Sequence, residues 1–139
     1  MRASLYFRMA AILIALFAVG HTMGFRQTDP RWGLDSTIAS MKTIRFVTQG
    51  FNRSYWDFFV GFGLFVSLFL ILAAVVAWQM GSLPAPTLAS MRVVAWALTV
   101  CFGIVTLLSW RYFFLVPVVF SLLIFISLLA GTLTLECSL

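Results

Sequence analysis

The chain has 139 residues, 63% of them hydrophobic and 9% charged, with a mean hydropathy of +1.07 and a formal net charge of +5. Soluble domains are about one-quarter charged, so this composition excludes an ordinary soluble domain and predicts one membrane domain over residues 1–139. The basic excess does not indicate nucleic acid, because the Lys and Arg residues are spread thinly beside apolar runs, where they anchor helices and meet lipid headgroups.

A membrane-crossing helix needs about 20 apolar residues, and four runs of that size succeed one another: 5–25, 55–79, 88–110 and 113–135. The predicted fold class is therefore all-α, an integral membrane bundle of four transmembrane helices. The first run comes after basic residues and passes through Ala18-Val19-Gly20, which has the small-residue look of a cleavage site. Its apolar character continues to Phe25, so it reads as a first span. Arg8, one turn in, is near enough to the end to snorkel toward headgroups.

The first connection is long. Within it, Leu34, Ile38, Met41 and Ile44 recur at steps of four, three and three, with Lys42 and Arg45 beside them. That spacing predicts an interfacial amphipathic helix over about 33–48, lying on the headgroups or capping the bundle. Pro84 and Pro86 break the chain between the second and third spans. The short Trp110–Phe113 stretch forces the third and fourth into an antiparallel hairpin. Pro117 lies one turn into the fourth, where its missing N–H costs least.

With four alternating spans, the end of the first, the start of the second, the end of the third and the start of the fourth share one membrane face. That face gathers the candidate site. His21 and Asp57 are the candidate catalytic pair, a proton-handling imidazole and carboxylate. Arg53 stands four residues before Asp57, the spacing of a helical ion pair, and Arg111 is a second candidate partner. Arg53, Tyr55, Trp56, Trp110, Arg111 and Tyr112 are the candidate ligand-binding residues, either an aromatic belt or an aromatic-lined mouth whose arginines hold an anionic group. Gly20 and Gly24 flank His21 in GxxxG spacing, which predicts a close neighbouring helix, and Gly61 and Gly63 leave space below the mouth.

Metal and cofactor chemistry find no support in the sequence. One histidine and two widely separated cysteines, Cys101 and Cys137, do not make a metal site or a disulfide framework. No hydrolase, metalloprotease, P-loop or haem-attachment motif occurs. No metal and no cofactor are expected.

The segments "GHTMGF", "RSYWDFFVGFGL" and "SWRYFF" resemble small four-helix membrane proteins of bacteria, DoxX-like in general layout. The resemblance implies a bacterial inner-membrane location and a four-helix bundle, and it carries no catalytic residue over. The expected function is non-catalytic: binding of a lipid or small amphiphile, or service as a subunit of a larger membrane complex. An intramembrane enzyme using His21 and Asp57 on a lipophilic substrate, and a small transporter, are the alternatives. Expected partners are membrane lipid, a lipophilic small molecule, and a membrane protein or a second copy of the chain. Counting Lys and Arg places the first loop in the cytoplasm and both termini outside.

Overall fold

The computed structural model describes residues 2–137, the side chain of Arg2 excepted. In chain order it contains α1 (Arg2–Gly24), a 3-10 turn (Pro30–Trp32), α2 (Asp35–Thr43), β1 (Arg45–Thr48), β2 (Phe51–Ser54), α3 (Tyr55–Ser82), α4 (Ala85–Ser90), α5 (Arg92–Tyr112) and α6 (Leu115–Glu136). Among the described residues the fold is helical apart from one two-stranded hairpin. Among the described residues four helices are long and apolar enough to cross a membrane: Ala3–Gly24, Tyr55–Ser82, Arg92–Tyr112 and Leu115–Glu136. They lie within a few residues of the runs read from the sequence. The third starts later, because residues 85–90 form the separate short helix α4 with Pro84 before it.

The chain divides into two compact units, one running to Ala18 and resuming at Leu70, the other covering Val19–Phe69. In the first unit α1 is packed between α3 and α6. Arg8 Nε donates to the carbonyl of Gly81 at 3.0 Å, near the end of α3, and its guanidinium lies 5.8 Å from the Trp78 ring. The arginine thus serves a helix C-terminus, where free carbonyls favour a cation. On the other side of α1, Tyr6 and Phe7 face Gly131 of α6, and Phe17 stacks on Phe120 at 5.7 Å. α5 and α6 form the antiparallel hairpin that their short junction requires. Burial respects this order: 33% of the apolar stretch of α1 and 39% of that of α6 are buried, against 11% for α3. The inner helices contribute Phe7, Ile14, Ile124 and Leu128 to the core, all fully buried.

Hydroxyls inside this apolar unit are satisfied locally. Thr99, Ser127 and Thr134 each donate to the carbonyl four residues earlier, the usual solution where water is absent. Thr99 and Thr132 also meet across α5 and α6 at 3.0 Å. Among the described residues no buried side-chain nitrogen or oxygen lacks a partner.

The second unit is built from the end of α1, the loop, the hairpin and the start of α3. Asp29 caps the 3-10 turn through Arg31 N–H and clamps the Arg31 guanidinium at 2.6 Å. Those bonds hold the Asp29 carboxyl below its ordinary value. The predicted helical stripe is real but shorter than expected. α2 ends at Thr43, Ile38 and Met41 are half-buried, and Leu34 and Ile44 are exposed.

Residues 45–54, which overlap the end of the predicted interfacial segment, are instead an antiparallel hairpin with Arg45 opposite Ser54 and Thr48 opposite Phe51. Gln49 and Gly50 turn it with φ of 49° and 83°. Positive φ at both positions is what a type I′ two-residue loop requires, because its twist matches that of the strands. Alternation places Phe46, Thr48, Phe51 and Arg53 on one face of the hairpin.

Candidate functional site

The chain enters α3 through a reciprocal cap. Ser54 N–H donates to Asp57 Oδ2 at 2.9 Å, and Asp57 N–H donates to Ser54 Oγ at 3.2 Å. This is a capping box with aspartate in the third position, and it satisfies two backbone donors at once. Ser54 is buried, so the box sits at the base of the hairpin. Asp57 is thereby a helix-start acid. Its cationic neighbour is Arg45 at 3.8 Å, from the opposite strand.

The i, i+4 pairing expected between Arg53 and Asp57 does not form, because Arg53 lies on β2 and the helix begins two residues later at Tyr55. The Arg53 guanidinium instead donates to the Asn52 carbonyl at 3.0 Å and lies 5.2 Å from the Phe51 ring. Arg45 is more fully engaged, donating to both Asn52 Oδ1 and the Asn52 carbonyl.

His21 and Asp57 are not joined. His21 Nε2 donates to the Gly63 carbonyl at 3.1 Å, and its ring stacks on Phe25 at 5.2 Å. Gly63 is six residues beyond Asp57, about 9 Å along the axis of α3. Among the described residues no hydrogen bond, ion pair or ring contact links the imidazole to the carboxylate. The same stretch of α3 receives Thr22, whose hydroxyl donates to Ser67 Oγ at 2.8 Å; Ser67 in turn donates to the Gly63 carbonyl.

The glycine that permits this contact is Gly63, where a Cβ would overlap the Phe25 ring. Gly20 and Gly24 meet nothing within 4 Å of an added Cβ, so the predicted close approach at the GxxxG pair is not made. The spacing is that of a packing motif, but among the described residues nothing packs against these two Cα positions.

Aromatic side chains join the cap to α3. Tyr55 and Phe58 both meet Phe46, at 5.2 and 5.9 Å. Trp56 carries the Lys42 ammonium 4.5 Å from its ring centroid and meets Phe59 at 5.3 Å. Between these elements lies an open groove of about 540 Å³, lined by Met41, Phe46, Thr48, Tyr55, Phe58, Phe59 and Phe62. A second groove of about 140 Å³ adjoins it across Phe58 and Phe62, with Arg53 and Asp57 at its polar end and Gly61 and Phe65 beyond. Of the residues singled out in the sequence, Arg53, Tyr55 and Asp57 line these grooves and Trp56 braces them.

Trp110, Arg111 and Tyr112 close α5 in the first unit. Trp110 and Tyr112 are highly exposed, and the Arg111 guanidinium lies over the Tyr112 ring at 5.3 Å. Phe46 and Met41 are site residues that sequence reasoning missed. The signal for them is the alternation of Phe46 and Thr48 after an amphipathic helix. Among the described residues no group of three His, Cys, Asp or Glu side chains could hold a metal ion. Searches against protein-family models, curated proteins and solved structures found no match to this chain.

Proposed function

We propose that this chain is a multi-pass membrane protein that binds a membrane amphiphile without transforming it. The groove beneath the hairpin is the observation that carries this reading. It is walled by five aromatic rings and a methionine, it is open, and charged side chains border it. Sites for apolar ligands combine such a wall with a few polar groups that fix orientation. The four apolar helices are suited to cross a membrane, the amphipathic α2 and its hairpin suit the headgroup layer, and the excess of Lys and Arg supports a cytoplasmic side for that layer. The DoxX-like resemblance supports the bacterial inner membrane as that membrane.

A binding role is favoured over proton-transfer catalysis because His21 is committed to a backbone carbonyl and Asp57 to a helix cap. Native mass spectrometry from a mild detergent tests the reading. The wild type is expected to retain one lipid per chain, and Thr48→Trp, which fills the larger groove from its wall, to lose it. A wild type that carries no lipid, or a variant that carries as much, overturns it.

A further inference from the structure

We infer that the smaller groove selects the headgroup of that amphiphile and takes an anionic one, with Arg53 as its cationic contact. The inference rests on the amphiphile-binding reading and adds the chemical class of the ligand. Two charged side chains line the polar end, Arg53 and Asp57, and Arg45 stands 3.8 Å from Asp57. The Asp57 carboxylate is served by Ser54 N–H and by Arg45, and Arg45 also serves Asn52. These two charges offset one another. Arg53 is left over.

One of its terminal nitrogens bonds the Asn52 carbonyl, and no carboxylate lies within ion-pair distance of it among the described residues. Arg53 lines the groove, and a guanidinium offers the fork geometry that suits phosphate or carboxylate oxygens. The surroundings add to this. Residues 19–69 hold five Lys and Arg against three Asp. Below Arg53 the floor of the groove is Gly61, where an added Cβ meets nothing within 4 Å, flanked by Phe58, Phe62 and Phe65. A cation above an open, phenyl-lined trough complements an acidic headgroup with a hydrocarbon chain beneath it.

Gly61 also gives a clean test. A leucine there projects into empty space and is a better helix former than glycine, so Gly61→Leu fills the groove without disturbing the fold. Purified protein is reconstituted in nanodiscs of equal phosphatidylglycerol and phosphatidylcholine, extracted in mild detergent, and its retained lipid identified by native mass spectrometry. The wild type is expected to retain phosphatidylglycerol about tenfold over phosphatidylcholine, a difference of about 1.4 kcal/mol. Arg53→Gln should abolish the preference while one lipid is still retained. Gly61→Leu should abolish it as well, and Arg92→Gln, at the start of α5 and outside the groove lining, should leave it intact. Equal retention of both lipids by the wild type overturns the inference, as does a preference that survives Arg53→Gln or disappears in Arg92→Gln. Wild type retaining no lipid at all defeats the binding reading itself, which separates the two failures.

Discussion

At the scale of single residues, Asp57 shows how position settles the meaning of an acid at the start of a long apolar helix. A carboxylate near the mouth of an apolar span is costly unless something holds it, and here the Ser54 backbone N–H and a strand arginine do so. The signal Ser-x-x-Asp is present in the sequence, but the Arg53 spacing competes with it. That spacing has meaning only on a helix, and the helix starts after Arg53. If the capping box is the main role, Ser54→Ala and Asp57→Leu should each lower stability by about 1 kcal/mol, and Asp57→Asn by less because it keeps an acceptor. Thermal unfolding measured by circular dichroism in detergent reads all three. The Asp57–Arg45 pair is half-exposed and adds about 1 kcal/mol at most, so a loss of several kcal/mol in Asp57→Leu beside a silent Ser54→Ala would refute the capping role.

At the scale of elements, legibility came from repetition. The four long helices were readable because twenty apolar residues in a row have few alternatives, and α2 because its apolar positions keep helical phase. The hairpin was not readable in the same way. Its strands have four residues each, too few for alternation to stand out, and its turn is Gln-Gly where Asn-Gly would have been the strong signal. Neither groove could be read either, since both depend on how the hairpin face carrying Phe46 and Thr48 meets α3. The turn therefore controls the site. Gly50 has φ of 83°, which a β-branched residue strongly resists and asparagine tolerates. Gly50→Val should cost about 1–2 kcal/mol of hairpin stability and release retained lipid, while Gly50→Asn should do neither. Hydrogen exchange of the strand amides, paired with lipid retention, reads both effects; unchanged protection in Gly50→Val would mean that the turn does not hold the hairpin.

At the scale of the whole molecule, the contacts of the first unit define a topology that can be checked without knowing a ligand. Arg8 near the start of α1 meets Gly81 near the end of α3, and Trp96 near the start of α5 bonds Glu136 at the end of α6, with Nε1 donating to Oε1 at 3.2 Å. These contacts run each pair antiparallel. Four crossings in succession would return the chain to the side on which it started, so Ser4, Ser82 and Cys137 are expected on one face of the membrane and the α5–α6 junction on the other. Arg111 marks that junction, and its exposed neighbours Trp110 and Tyr112 fit an interfacial belt. Cys137 is a native exposed thiol, and Cys101 is the other, so a Cys101→Ser background leaves one reporter in place. In that background Cys137 should react with an impermeant maleimide from the same side as a cysteine introduced at Ser4 or Ser82, after Cys137→Ser in those two cases. A cysteine replacing Arg111 should react only from the opposite side. Positive-inside counting further predicts that the Arg111 side is the cytoplasmic one, so intact right-side-out vesicles should label Ser4→Cys and protect Arg111→Cys. The reverse pattern would keep four crossings and invert the orientation. Ser4→Cys and Cys137 labelling from opposite sides would refute the four-crossing topology.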